Sequence, residues 1–432
     1  LAVGQALIAV VPDARDLRVL LSCENFEQEI LDGRLWFASG ERWGEKLERL
    51  LKDNDGLPLP GQFVRTILAE REELDEMIKT AQDIFSRETT RRSQAIRTMF
   101  DQRSALESDR VCVVAPSAFR LWEDVGGVVG GLARDGGWTT MDPDDACQSS
   151  PVAFARLAAG CEVVVVVNTG RADLLADLPA ETKVISWVTG PRLPRFDDKG
   201  AGDVLLVADE RWRGMAISAG WPADRVSAAG WPTWRVNKRG AGLGVIAETV
   251  TISTPEFGLS SQKILWESIA RELADDPFAA GLDAGAYLAR WLARAGIAQE
   301  TVNRQLFIDG LIVPAYQQGL ARWLIEAEID VKLFGKGWDE IETFASHHAG
   351  EVRDRQGLNI AVESCAALVH VWPAAWAHPI EAAGRAVLRR GSKTREMWLA
   401  EARRMVREAG CATSTNTPIL SLELIRHIAK LG

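Results

Sequence analysis

A lysine held between two glycines at the end of an apolar run is the first place where this chain could do chemistry. Leu333-Phe334-Gly335-Lys336-Gly337-Trp338 reads as a strand that runs into a turn. Glycine tolerates backbone angles closed to other residues and admits close approach. Backbone N–H groups here can therefore face a phosphate while Lys336 supplies positive charge. The same pattern also fits a plain tight turn. Downstream, Ala367-Leu368-Val369-His370-Val371-Trp372-Pro373 is a second apolar strand. It leads into His378-Pro379-Ile380-Glu381-Ala382-Ala383-Gly384, where a carboxylate opens a helix that ends at a glycine and gives onto a third strand over 385–389. His378 stands at the start of that helix, where an N-terminal turn favours anions. His370, in mid-strand, reads as a core residue. Pro314 and Gly319 interrupt an apolar helix around Tyr316, a segment that reads as either a hinge or a nucleobase wall.

The elements that must position these residues fall into three regions. Residues 1–106 are expected to form a mainly helical N-terminal accessory region. It opens with strand-like runs at Ala6–Val11 and Leu17–Ser22, and a short helix spans Glu41–Leu51. A long amphipathic helix follows the Pro/Gly break at Leu57–Gly61 and runs from Gln62 to about Arg103, with apolar residues at helical spacing. Residues 107–240 carry short, fully apolar strands at Val111–Ala115, Glu162–Val167, Lys183–Val188 and Asp203–Ala208, separated by helix-length spacers. That alternation predicts βαβ units and a parallel, doubly wound sheet. The Gly-rich crossing Lys238–Gly244 reads as a linker. Residues 241–432 repeat the pattern, with strands at Gly244–Ile252, Val331–Phe334, Ala367–Val371 and 385–389. Helices are expected at Ser260–Ala274, Ala284–Ala295 and Thr301–Ala315, with Glu396–Ala409 closing the chain's ordered pattern. The expected fold class is α/β: two Rossmann-like doubly wound lobes with a cleft between them, in which a ligand sits at the carboxyl ends of strands.

Composition narrows the partners. The formal net charge of −10 argues against a nucleic-acid or anionic-membrane surface as the main target. Six cysteines are scattered without a C-x-x-C pair, which suits buried thiols in a reducing compartment. No Cys/His spacing matches a zinc site, and Asp142-Pro143-Asp144-Asp145 and Asp197-Asp198 read as turns rather than as a metal-binding Asp-x-Asp. No apolar run has the length of a membrane span and no signal peptide is recognised, so the expected setting is cytoplasmic. Tryptophan outnumbers tyrosine 16 to 2. Trp stacks on sugar rings, but most of these side chains are expected to fill core space.

The order of the Gly-x-Gly turn, the Glu-Ala-x-x-Gly loop and the closing apolar strand resembles the nucleotide-sugar half of GT-B glycosyltransferases. Within that class it is similar to the bacterial spore-maturation type and group 1 families, where a Gly-x-Gly-Trp turn, a Gly-Leu-Asn stretch (here Gly357 to Asn359) and the Glu-Ala-x-x-Gly loop follow one another. The resemblance covers about 330–395. It implies a metal-independent glycosyltransferase moving a sugar from a nucleotide-diphosphate donor, a co-substrate rather than a cofactor, to a hydroxyl acceptor. Gly335, Lys336, Gly337 and Trp338 match the turn near the donor diphosphate. Glu381 matches the carboxylate that accepts from donor hydroxyls, with Gly384 as the glycine of the loop and His378 beside it. Pro373 stands where many retaining members carry a second acid, and Ala386 where proline is usual. Every histidine lies at or beyond position 347, so an N-lobe histidine base cannot serve. In an inverting reaction the acceptor's proton would pass to a carboxylate, with Glu123 or Asp124 after the first strand of the N-terminal lobe as candidates. Those two acids also suit a solvated helix start. Alternative readings are a sugar-nucleotide epimerase and a non-catalytic sugar or nucleotide binder.

Overall fold

A computed structural model describes residues 6–64, 71–102, 110–116, 131, 133–189, 193–200, 202–207, 210–229, 240–252, 254–257, 259–373 and 385–408. These residues divide into two compact units, with the described chain through Ala228 in the first and that from Ala229 onward in the second. The chain is mixed α/β, and among the described residues every strand pairing is parallel.

Unit 1 begins with strand β1 (Leu7–Val11), helices α1 (Ala14–Cys23) and α2 (Glu27–Leu31), strand β2 (Leu35–Ser39) and helix α3 (Trp43–Asp53). β1 and β2 form a two-stranded sheet in the register Leu7↔Leu35 to Val11↔Ser39. The Leu17–Ser22 run, expected as a strand, lies inside α1. Asp13 caps that helix by accepting from the Arg15 amide at 2.7 Å, and the local cap decides the conformation of an otherwise ambiguous apolar run. Helix α4 (Arg71–Asp101) packs Ala81 and Ile84 against Leu47 and Leu51 of α3 and Ala38 of β2. Arg92 locks this packing from within. It donates to Glu88 Oε1 at 2.8 Å and reaches the carbonyls of Leu57 at 2.5 Å and Leu51 at 3.0 Å. A guanidinium buried this deeply persists because each donor finds an acceptor.

The second sheet of unit 1 has six strands: β3 (Val111–Val114), β4 (Thr139–Met141), β5 (Val163–Val167), β6 (Lys183–Val188), β7 (Val204–Val207) and β8 (Val226–Ala228). Their spatial order is β4-β3-β5-β6-β7-β8. Five consecutive valines form β5, all buried, as suits a strand covered on both faces. Helix α5 (Pro151–Ala158) is started by Ser150, whose hydroxyl accepts from Ala153 N, and helix α6 (Glu210–Ser218) connects β7 to β8. Arg171 and Asp203 form a buried two-pronged pair, Nε to Oδ2 at 2.7 Å and Nη2 to Oδ1 at 2.8 Å. Arg171 also donates to the carbonyls of Leu178, Pro179 and Thr182, and Asp203 accepts from Val184 N at 2.9 Å. The pair ties the loop after β5 to the starts of β6 and β7.

Unit 2 holds strands β9 (Leu243–Thr249), β10 (Val331–Lys336), β11 (His348–Gly350), β12 (Ala367–Val369) and β13 (Val387–Leu388) in the order β11-β10-β9-β12-β13. Counted along the chain this is 3-2-1-4-5, the arrangement in which the winding direction reverses between the first and fourth strands. Helices α7 (Ser260–Asp275), α8 (Ala284–Ala295), α9 (Val313–Glu326) and α11 (Arg395–Arg407) share one core with the sheet, through Leu265, Leu288, Leu320, Trp398 and the inward residues of β9, β10 and β12. Helix α10 (Arg355–Glu363) belongs to a separate core with Ile246, Phe334 and Leu368, so the sheet is covered on both faces. A π-helical turn, Ile308–Ile312, leads into α9 with Pro314 in its first turn, where a missing N–H costs least. Tyr316 is 1 % exposed and belongs to the core of this unit, which removes it from any surface role.

Candidate functional site

The carboxyl edge of the unit 2 sheet gathers the described polar residues that the sequence singled out. β10 ends in Gly335-Lys336-Gly337, and both glycines have positive φ, +128° and +91°. At each position β9 or the segment just after it leaves room for glycine alone. A β-carbon at 335 would stand 2.1 Å from the Ala247 carbonyl oxygen, and one at 337 would stand 2.3 Å from Thr251 Oγ1. Between them the Lys336 carbonyl accepts from Val250 N at 3.0 Å, while the Lys336 side chain is exposed. The result is a cation presented on a backbone that cannot swing away, since both neighbours are pinned against the adjacent strand.

Trp338 behaves differently from its three predecessors. It is fully buried, donates from Nε1 to the Phe334 carbonyl at 3.1 Å, and meets Phe344 edge-on with centroids 5.2 Å apart. Its indole anchors the turn from beneath, and its ring offers no surface to a ligand.

Around Lys336 lie groups that sequence spacing does not reveal. Glu351, just beyond β11, accepts from Arg353 Nε at 2.7 Å, and this bond holds its carboxyl below the usual carboxylate range, with Lys336 and His348 close enough to add to the effect. His348 Nδ1 is 3.9 Å from Asp339 Oδ1, and its Nε2 is shielded from water with no hydrogen-bond partner. Thr251 Oγ1 is likewise buried and unpartnered. Gln318, on the first turns of α9, donates to the Val250 carbonyl at 2.8 Å and fixes the end of β9 from the other side. Buried polar atoms without partners are uncommon and call for an explanation such as a ligand or an ordered water. Gly357 to Asn359 lie in the first half of α10. There Asp354 caps the helix by accepting from Gly357 N at 2.7 Å, and Asn359 Oδ1 is buried without a partner. His370, past the end of β12, is 5 % exposed, in keeping with a core residue.

Glu381, Gly384 and His378, and in unit 1 Glu123 and Asp124, lie outside the described residues. Among the described residues no group of three or more His, Cys, Asp or Glu side chains is placed to hold a metal ion, and no helix is long and apolar enough to cross a membrane.

Comparison of the chain with protein-family models, with curated proteins and with solved structures gives no match.

Proposed function

We propose that this chain is a glycosyltransferase of the two-lobed GT-B type, with the turn at Lys336 binding the diphosphate of a nucleotide-sugar donor. The observation that carries this reading is Lys336 itself: an exposed cation locked between two positive-φ glycines at the carboxyl edge of a parallel sheet, beside a buried hydroxyl that lacks a partner. Open α/β sheets bind ligands outside the carboxyl ends of their strands, near the point where the winding reverses. Here that point lies between β9 and β12, and β10 is the immediate neighbour of β9.

In this reading the ammonium of Lys336 offsets the negative charge that grows on the departing diphosphate as the glycosidic bond to it breaks, an interaction stronger in the transition state than in the ground state. Glu381 accepts hydrogen bonds from donor hydroxyls and His378 borders the same loop. The acceptor hydroxyl loses its proton to Glu123 or Asp124 as it attacks the anomeric carbon. The test is incubation with a panel of nucleotide sugars while following slow donor hydrolysis. Hydrolysis of one donor that Lys336→Ala abolishes supports the reading. Tight binding without turnover of any donor replaces it with a non-catalytic binder.

A further inference from the structure

Among the described residues, the first two helices leave an apolar surface uncovered. Helix α1 buries none of its residues, although Val19, Leu20 and Leu21 are 60 %, 39 % and 43 % exposed. On α2, Ile30 is 45 % and Leu31 74 % exposed. An amphipathic helix normally hides its apolar stripe, and a parallel sheet is normally covered on both faces. Here α3 and α4 cover one side of the β1–β2 pair, where Ile8 and Val10 pack against their core. Between α1 and α2 runs a groove of about 580 Å³ with Leu21, Phe26, Ile30 and Leu31 among its lining residues. Its ends are set by local bonds, Ser22 Oγ to the Val19 carbonyl at 2.7 Å and Glu27 N to Asn25 Oδ1 at 3.0 Å, so the shape exists before anything binds.

We propose that this groove docks an amphipathic helix of a partner protein, one whose apolar stripe is flanked by lysine or arginine. The charge of the rim selects that occupant. The only charged residues lining the groove are Glu24 and Glu27, and neither is engaged in a salt bridge among the described residues. A leucine-rich stripe fills the apolar floor while basic flanks meet the two carboxylates, the helix-in-groove mode of recognition. A second copy of the chain docked about a two-fold axis would instead set its Glu24 and Glu27 against the same pair, an arrangement that like charges oppose. An anionic membrane is repelled by the same rim.

The test uses the full chain and a fluorescein-labelled amphipathic peptide of leucine and lysine, followed by anisotropy, with a leucine–glutamate peptide of the same pattern as control. The expected result is binding of the leucine–lysine peptide alone. It should weaken about tenfold or more in Ile30→Ser/Leu31→Ser, as for a groove whose energy sits in a few apolar contacts, and lose most of its salt dependence in Glu24→Gln/Glu27→Gln. All four side chains are exposed, so both variants should melt like the parent. Should the serine pair disturb folding, the glutamine pair still decides through the salt series. Three outcomes overturn the proposal: equal binding to the serine variant, which reduces the effect to the net charge of −10; equal binding of the leucine–glutamate peptide; or a dimer of the free chain that Leu31→Ser dissolves, which makes a second copy the occupant.

Discussion

Gly337 lies directly on the hydroxyl of Thr251: a β-carbon added at 337 would come within 2.3 Å of Thr251 Oγ1, and the glycine's φ of +91° is one that other residues rarely adopt. The contact joins the ends of β9 and β10 and gives the Lys336 turn its shape. Replacing Gly337 by alanine should therefore cost about 1–3 kcal/mol of stability. Gly335→Ala should cost more, because its clash is with the Ala247 backbone rather than with a side chain able to rotate. Chemical denaturation of the two variants against the parent checks the order.

Thr251→Ala separates stability from binding. Its hydroxyl has no partner to lose, so truncation should change stability by less than about 1 kcal/mol. If a diphosphate oxygen accepts from that hydroxyl, nucleotide affinity should fall about tenfold or more, the size of one hydrogen bond to a charged acceptor. Paired urea melts and nucleotide titrations read both quantities on one protein.

Arg171 and Asp203 make the opposite case, a buried pair with every partner in place. Arg171→Ala strands the Asp203 carboxylate and should destabilise unit 1 by about 3–5 kcal/mol. The double replacement Arg171→Met/Asp203→Leu should cost distinctly less than the two single changes added together. A double-mutant cycle in guanidinium chloride measures the difference.

Acid should find Glu88. Burial pushes its carboxyl up, but the hydrogen bonds from Arg91 and Arg92 outweigh that and leave it below the ordinary glutamate range in the folded chain. A carboxyl lowered on folding binds fewer protons in the native state. Its contribution is complete above the unfolded value of about 4.3 and is lost as the pH drops toward the folded one. Urea midpoints recorded from pH 7 downward should show Glu88→Gln weaker than the parent at neutrality, with the gap closing below about pH 4.5.

Much of this architecture could be read before any coordinates. The all-valine strand Val163–Val167 and the runs at Val111, Lys183 and Val331 announce buried parallel strands through β-branched residues without alternation. Among the strands that escaped, Thr139–Met141, Val226–Ala228 and His348–Gly350 are three-residue edge strands with few apolar side chains, so periodicity had little to register, whereas Leu35–Ser39 escaped although it is a five-residue apolar strand. Leu17–Ser22 shows the converse, an apolar run whose capping residue, Asp13, made it a helix. At the site, the two glycines around Lys336 were legible because only glycine suits such a turn. The neighbours Thr251, His348 and Glu351 were not, since Thr251 follows β9 while His348 and Glu351 lie on and just after β11, and their meeting on either side of β10 is a property of the 3-2-1-4-5 sheet order. Trp338 stood next to the turn in sequence, yet its ring fills the core beneath.

Calorimetric titration of uridine, adenosine, guanosine and thymidine diphosphates into the parent chain, Lys336→Ala and Lys263→Ala reads whether the Lys336 turn holds a diphosphate. Lys263 is an exposed lysine on α7 and controls for overall charge. If the turn holds a diphosphate, at least one should bind the parent, Lys336→Ala should weaken that binding about tenfold to a hundredfold, the range for a charge-assisted contact, and Lys263→Ala should leave it unchanged. Equal affinity in the parent and Lys336→Ala, or no binding of any diphosphate to the parent, would contradict a diphosphate site at the turn.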